Sequence, residues 1–187
     1  MFDLPHLLCI DVEATCDAQQ LPRKDREIIE FGAVVLDVQQ RTLGPEFRAF
    51  VRPQKTTQLT DYCLELTSIR QSDVDGAPAF PSVWHEFLAF AAPYGDAPLC
   101  GWGDYDYGQI KRDCASYGAP QPFKKYIDAS KWYRRHEKMN RRPSLRESAE
   151  SLGLNFAGQQ HRALDDAKCL AKVLIEVWKR DDQTENN

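Results

Sequence analysis

The chain has 187 residues, 42% hydrophobic and 28% charged, and its 28 Asp and Glu against 24 Lys and Arg give a net charge of -4. That length can bury one sizeable core, and the acidic balance argues against a protein that holds long duplexes by bulk electrostatics, while allowing an enzyme that grips only a strand end. The six cysteines form no CxxC pair and read as reduced, mostly buried thiols; with no charged-then-apolar leader and no apolar stretch near the ~18 residues of a membrane span, a soluble, cytoplasmic protein is the default expectation.

In chain order, Leu7 to Val12 is an almost wholly apolar run, the pattern of a strand buried on both faces, expected to end near Asp11. The β-branched and aromatic run from Ile28 to Leu36 and the alternating run from Thr42 to Val51 predict an antiparallel hairpin beside it, with a turn around Gln39 to Arg41. Pro53 to Pro81 is polar with short apolar patches and reads as loops and short helical turns. A helix follows, with Phe80, Val83, Trp84, Phe87, Leu88 and Ala91 on one face. Leu99 to Gly101 fits a very short central strand, Asp106 to Tyr117 a helix stopped by Gly118 and Pro120, and Tyr126 and Ile127 a weaker strand. Asp128 to Lys138 and Ser144 to Leu152 read as helices, the second with a capping box from Ser144 and Glu147. The last helix places Ala167, Leu170, Ala171, Leu174, Ile175 and Trp178 on one face and runs into a charged end, Lys179 to Asn187. The order predicts an α/β fold, a mixed sheet of about five strands covered by helices on both faces, as one domain over residues 1–180 with a polar tail at 181–187.

Candidate chemistry lies at the ends of these elements. Asp11 and Glu13 are two apart on an extended strand end, so both carboxylates point to one face, and a divalent cation is an efficient partner for such a pair beside an apolar run. A lone DxE is more often a strand emerging into solvent. Asp106 opens the helix after the short strand, where a plain N-cap acid also sits, and Asp104 is its near competitor. His161 and Asp166 stand at the entrance of the last helix, where acids are favoured by the helix dipole without any function. Each signal is bland alone; together they place four acids and one histidine at the ends of core elements.

The strings Ile10-Asp11-Val12-Glu13-Ala14-Thr15-Cys16, Arg26-Glu27-Ile28-Ile29-Glu30-Phe31, Leu59-Thr60-Asp61-Tyr62-Cys63 with Leu66-Thr67-Ser68-Ile69, Trp102-Gly103-Asp104-Tyr105-Asp106 and His161-Arg162-Ala163-Leu164-Asp165-Asp166 occur in that order. As a set they resemble the DEDDh (DnaQ-like) exonucleases, within them the branch of the histone-mRNA 3′ exonuclease and the enhanced-RNAi exonuclease, over roughly residues 5 to 178. The resemblance implies a ribonuclease-H-like fold and metal-dependent 3′ to 5′ removal of nucleoside 5′-monophosphates, with RNA 3′ ends favoured and DNA also in view. It implies metal ligands at Asp11, Glu13, Asp106 and Asp166 for two Mg²⁺ or Mn²⁺ ions, with His161 as general base. It further implies backbone contacts to the terminal sugar at Ala14, Thr15 and Cys16, and packing of Leu64, Thr67 and Tyr105 around the last base, where an aromatic face holds an unpaired base without reading sequence.

From Lys131 to Arg142 there are six Lys or Arg against one Glu, so Arg141 and Arg142 are expected to take backbone phosphates, with a solvated helix face as the competing reading. A non-catalytic nucleic-acid or protein-binding module on the same fold is the alternative, disfavoured by the complete set of acids and histidine. An endonuclease is disfavoured by His161, and a structural zinc site by the absence of ligand spacing. Oligomeric state is not encoded in any of these patterns.

Overall fold

The computed structural model describes residues 4–19, 21–155 and 161–185. A five-stranded sheet in the order β3-β2-β1-β4-β5 is built from β1 (His6–Ala14), β2 (Ile28–Asp37), β3 (Thr42–Phe50), β4 (Leu99–Gly101) and β5 (Tyr126–Asp128). β1, β2 and β3 are antiparallel neighbours, whereas β4 runs parallel to β1 and β5 parallel to β4. This is the expected mixed, ribonuclease-H-like sheet.

The apolar run of β1 alternates between two cores. Leu8, Ile10 and Val12 pack with Phe31, Val35, Trp84, Phe87 and Ile110, beneath α3 (Phe80–Ala91) and α4 (Tyr105–Tyr117). Leu7 and Cys9 pack with Val34, Leu36, Leu170, Leu174 and Trp178 beneath α7 (Ala163–Glu185). Period-two side chains on a strand covered from both sides leave no polar face, which is why the run reads as continuously hydrophobic. Fully burying each Leu or Phe contributes roughly 1.5–3 kcal/mol, so these two layers dominate the stabilisation of the sheet.

The remaining helices are α1 (Asp61–Thr67), α2 (Gln71–Asp75), α5 (Ala129–His136) and α6 (Leu145–Ser151). α1 starts where the Thr60 hydroxyl accepts from the Cys63 N–H, and α6 starts on the expected Ser144–Glu147 capping box. Four boundaries differ from expectation. β1 continues through Glu13 to Ala14, because its pairing with β2 persists to a bulge between Glu13 and Ala14. α4 is capped at Asp104 and starts at Tyr105, so Asp106 lies inside the first turn and is no cap. α5 stops at His136, two residues short of the expected end at Lys138. α7 carries the charged end onward to Glu185, where a polar tail was expected from residue 181; Arg41 is ion-paired with Asp182 and His136 is hydrogen-bonded to Asp181 at 3.0 Å, contacts that hold this last stretch against the body. No helix among the described residues is long and apolar enough to cross a membrane.

Candidate active site

Strand alternation puts Asp11 and Glu13 on the α7 face of β1, continuing the row of Leu7 and Cys9. Across the antiparallel pairing, Asp11 stands opposite Gly32 and Glu13 opposite Glu30. A Cβ on Gly32 would overlap the backbone of Ala163 and Leu164, so glycine there lets the start of α7 lie directly on the sheet beside the two acids. That approach delivers Asp166, 9% exposed in the first turn of α7. His161 precedes the helix in the left-handed region at φ 62°, and its N–H donates to Asp166 Oδ2 at 3.1 Å.

The fourth acid arrives from the other side of β1. β4 ends at Gly101, the chain turns through Gly103 at φ 107°, and Asp106 in the first turn of α4 is 5% exposed, with Oδ1 accepting from the Val12 N–H at 3.4 Å. A Cβ at Gly101 would sit against the Tyr126 hydroxyl and 3.2 Å from Asp106 Oδ2, so this glycine leaves the carboxylate its space.

Asp11, Glu13, Asp106, Asp166 and His161 thus line one cavity of about 360 Å³. One ligand atom each from Glu13, His161 and Asp166 lies within 4.8 Å of the others. Among the described residues no Lys or Arg is ion-paired to the four acids. Burial, and then the charges of its acidic neighbours, pushes Asp11 well above the usual carboxylate range. Burial and the nearby Asp166, Glu30 and Asp106 push Glu13 up to about 9. Asp106 and Asp166 are each pushed up to about 7, mainly by burial. Clustered carboxylates without counter-charge are costly, and a hard divalent cation bound through oxygens removes both the repulsion and the desolvation cost. Four carboxylates with a single imidazole make an oxygen-rich donor set, which suits Mg²⁺ or Mn²⁺. Burial lowers the His161 pKa, favouring the neutral imidazole. A second cavity of about 270 Å³, at the C-terminal end of α3, is lined by one acid, Asp96, and by Lys124 and Lys125, with no histidine.

The expected substrate contacts are placed less uniformly. Tyr105 lines the cavity; its hydroxyl accepts from Arg26 Nη1 at 3.5 Å and the Arg23 guanidinium lies 5.9 Å from its ring centre. Ala14 and Thr15 are buried, the Thr15 N–H donates to Glu27 O at 2.9 Å, and the Cys16 carbonyl accepts from the Thr60 hydroxyl at 2.7 Å, so much of this backbone is already engaged. Leu64 packs against the core of Ile29, Leu59 and Cys63. Thr67 is fully buried, and its hydroxyl donates to Cys63 O at 2.8 Å and accepts from the Ile69 N–H, closing α1. Arg141 forks onto Glu147 at 2.7 and 3.0 Å, Arg142 is 3.3 Å from Asp128, and neither lines the cavity.

Several residues at or beside the cavity were not predicted, Trp102, Arg146 and Glu30 among them. Trp102 and Arg146 line the cavity, and the Trp102 indole N–H donates to Pro143 O at 3.0 Å, tying the loop before α4 to the entrance of α6. Arg146 carried no signal, being one more cation on an exposed helix. Glu30, fully buried in β2, did carry one: an acid inside an otherwise apolar run.

Residues 8–174 match the profile of a family described as exonuclease. Human 3′-5′ exoribonuclease 1 is 32% identical over 181 residues, 92% of this chain and 52% of that protein, so the chain spans about half the length of that relative. The 3′-5′ exonuclease Snipper of Drosophila melanogaster is 30% identical over 195 residues, 92% of this chain and 69% of that protein. The crystal structure of the nuclease domain of 3′hExo, described as a DEDDh family member bound to rAMP, superposes with a TM-score of 0.88 at 30% identity, covering 95% of this chain and 94% of that one.

Proposed function

This chain belongs to the DEDDh exonuclease family, and from that premise we propose that it hydrolyses the last phosphodiester bond at nucleic-acid 3′ ends, RNA favoured, releasing nucleoside 5′-monophosphates. The observation that carries the reading is the meeting of Glu13, His161 and Asp166 in one cavity with Asp11 and Asp106. RNA is favoured because the human relative is an exoribonuclease and the superposed nuclease domain holds rAMP.

Asp11, Glu13, Asp106 and Asp166 would hold two Mg²⁺ or Mn²⁺ ions, which when bound stabilise charge on the attacking and departing oxygens. His161, neutral and adjacent, takes the proton from the attacking water as its oxygen bonds to phosphorus. The bond from phosphorus to the 3′ oxygen breaks, and that oxygen picks up a proton as the shortened strand leaves. Tyr105 and Trp102 give the cavity aromatic walls against which the terminal nucleotide packs without reading its identity.

The test is a panel of 5′-labelled RNA and DNA oligomers, single-stranded or with 3′ overhangs, incubated with Mg²⁺ or Mn²⁺ and with chelator. Stepwise shortening with the label retained, 5′-monophosphate products and loss of activity in chelator are expected. A sample inert toward every 3′ terminus favours the binding-module reading, and nicking of a circular strand favours an endonuclease.

A further inference from the structure

Glu30 is an ionisable residue near the start of β2, 0% exposed, on the same face of the sheet as Glu13 and directly opposite it. A fifth buried acid beside four others raises their mutual repulsion, so its presence requires a compensating role. Its bonds supply one. Oε2 accepts from Arg162 Nε at 3.1 Å and from the Ala163 N–H at 3.2 Å; Oε1 accepts from Arg162 Nη2 at 3.2 Å and from Arg48 Nε at 2.7 Å. Both oxygens are used, and the Arg162 contact is a two-pronged fork.

All of these donors except Arg48 come from the two residues immediately after His161. The forked guanidinium fixes Arg162, the N–H bond fixes Ala163, and the absent Cβ of Gly32 lets Ala163 rest on the strand. On β3, the Phe50 ring lies opposite Glu30 and under both guanidiniums, 5.3 Å from Arg48 and 5.4 Å from Arg162. His161 itself sits in the left-handed region, which a non-glycine residue holds only when its surroundings over-determine it. The bonds from Glu30 on one side and from Asp166 to the His161 N–H on the other supply that constraint.

We propose that Glu30 and Arg162 are positioning residues that set the His161 imidazole at the carboxylate cluster by clamping the backbone just after it onto β2, an inference that rests on His161 being the proton acceptor. Neither touches the reacting atoms; they act through the turn.

The experiment is steady-state turnover of a 5′-labelled single-stranded RNA by the full chain, comparing wild type with Glu30→Gln, Arg162→Ala, Arg162→Lys, His161→Ala and the Arg162→Ala/His161→Ala double variant, with melting temperatures for each. Arg162→Ala is expected to lower kcat roughly 10- to 100-fold with KM within about twofold, and Arg162→Lys to recover part of that loss. Without His161, removing Arg162 should cost less than about threefold, because the positioned group is already gone. Arg162 lies outside the apolar cores, so it decides the matter even if Glu30→Gln fails to fold. The inference is overturned if an active wild type is matched by Arg162→Ala, or if the loss is undiminished in the His161→Ala background. A wild type inert on every 3′ end instead overturns the exonuclease reading, and this inference with it.

Discussion

Two glutamates near the same end of the central strand pair have opposite fates. Glu27, 2% exposed, accepts from the N–H groups of Gln54, Lys55 and Thr56 at 2.6–3.2 Å and from the Tyr117 hydroxyl at 2.7 Å. Burial pushes its carboxyl up, but those donors outweigh burial and hold it below the usual range. Glu13 has burial and three acidic neighbours, and is pushed up to about 9. A buried acid surrounded by donors belongs to the fold, whereas a buried acid surrounded by other acids requires something from outside the chain.

Substitutions in the two regions should therefore divide between activity and stability. The largest effect is expected from Asp11→Ala, Glu13→Ala, Asp106→Asn and Asp166→Asn, each lowering turnover of a 3′ end roughly 1000-fold or more. Their metal-free melting temperatures should be unchanged or raised, since repulsion is relieved; an active quadruple variant would refute the site. His161→Ala comes next, with a loss of roughly 100-fold or more in kcat and little change in KM. A rise in KM alone would remove it as the proton acceptor.

Glu27→Ala should do the reverse. It strands three backbone N–H groups and destabilises the fold by about 3 kcal/mol, or roughly 9 °C in Tm, while kcat of the folded fraction holds. Chemical denaturation alongside single-turnover kinetics separates the two quantities.

A smaller effect follows from pH. Glu13, Asp106 and Asp166 have folded pKa values raised to about 9, 7 and 7 from ordinary values of 4.5, 3.8 and 3.8. Their contribution to stability is fully present below the ordinary values and is lost as pH rises through 7 to 9. In chelator, Tm should fall from pH 6 to pH 8, and Mn²⁺ should restore more at pH 8, where fewer protons need displacing. The Glu27 contribution has the opposite sign and is lost only as pH drops below its ordinary range near 4.5, so it is constant across this window. A metal-free Tm that rises from pH 6 to pH 8 would contradict the contrast. The smallest effect is expected at Arg141 and Arg142: each already holds a carboxylate, so reversing both charges should change KM by about twofold, read from its salt dependence.

Much of the site was legible because its residues stand at element ends that periodicity marks. Asp11 and Glu13 close an apolar run, Asp106 follows a three-residue apolar patch, and Asp166 opens the longest amphipathic stretch. The expected substrate contacts were less legible. Thr67 and Leu64 sit in a segment without clear periodicity, where no pattern says which side chain turns inward, and Thr67 turns inward. The basic run was visible as composition, but its pairing with Glu147 and Asp128 was not, because those partners lie on other elements.

The chain's own pattern determined which segments are strands or helices, that β1 is covered on both faces, and that four acids and a histidine stand at the tips of core elements, since local spacing encodes local period and burial. Only the packed structure decided that Glu30 reaches Arg162 and Ala163, more than 130 positions away, that Arg146 and Trp102 wall the cavity, and that α7 continues to Glu185. Those outcomes depend on how β2 and α7 approach at Gly32, and a meeting of distant segments is set by the three-dimensional fit of whole elements, which no window of neighbouring residues contains.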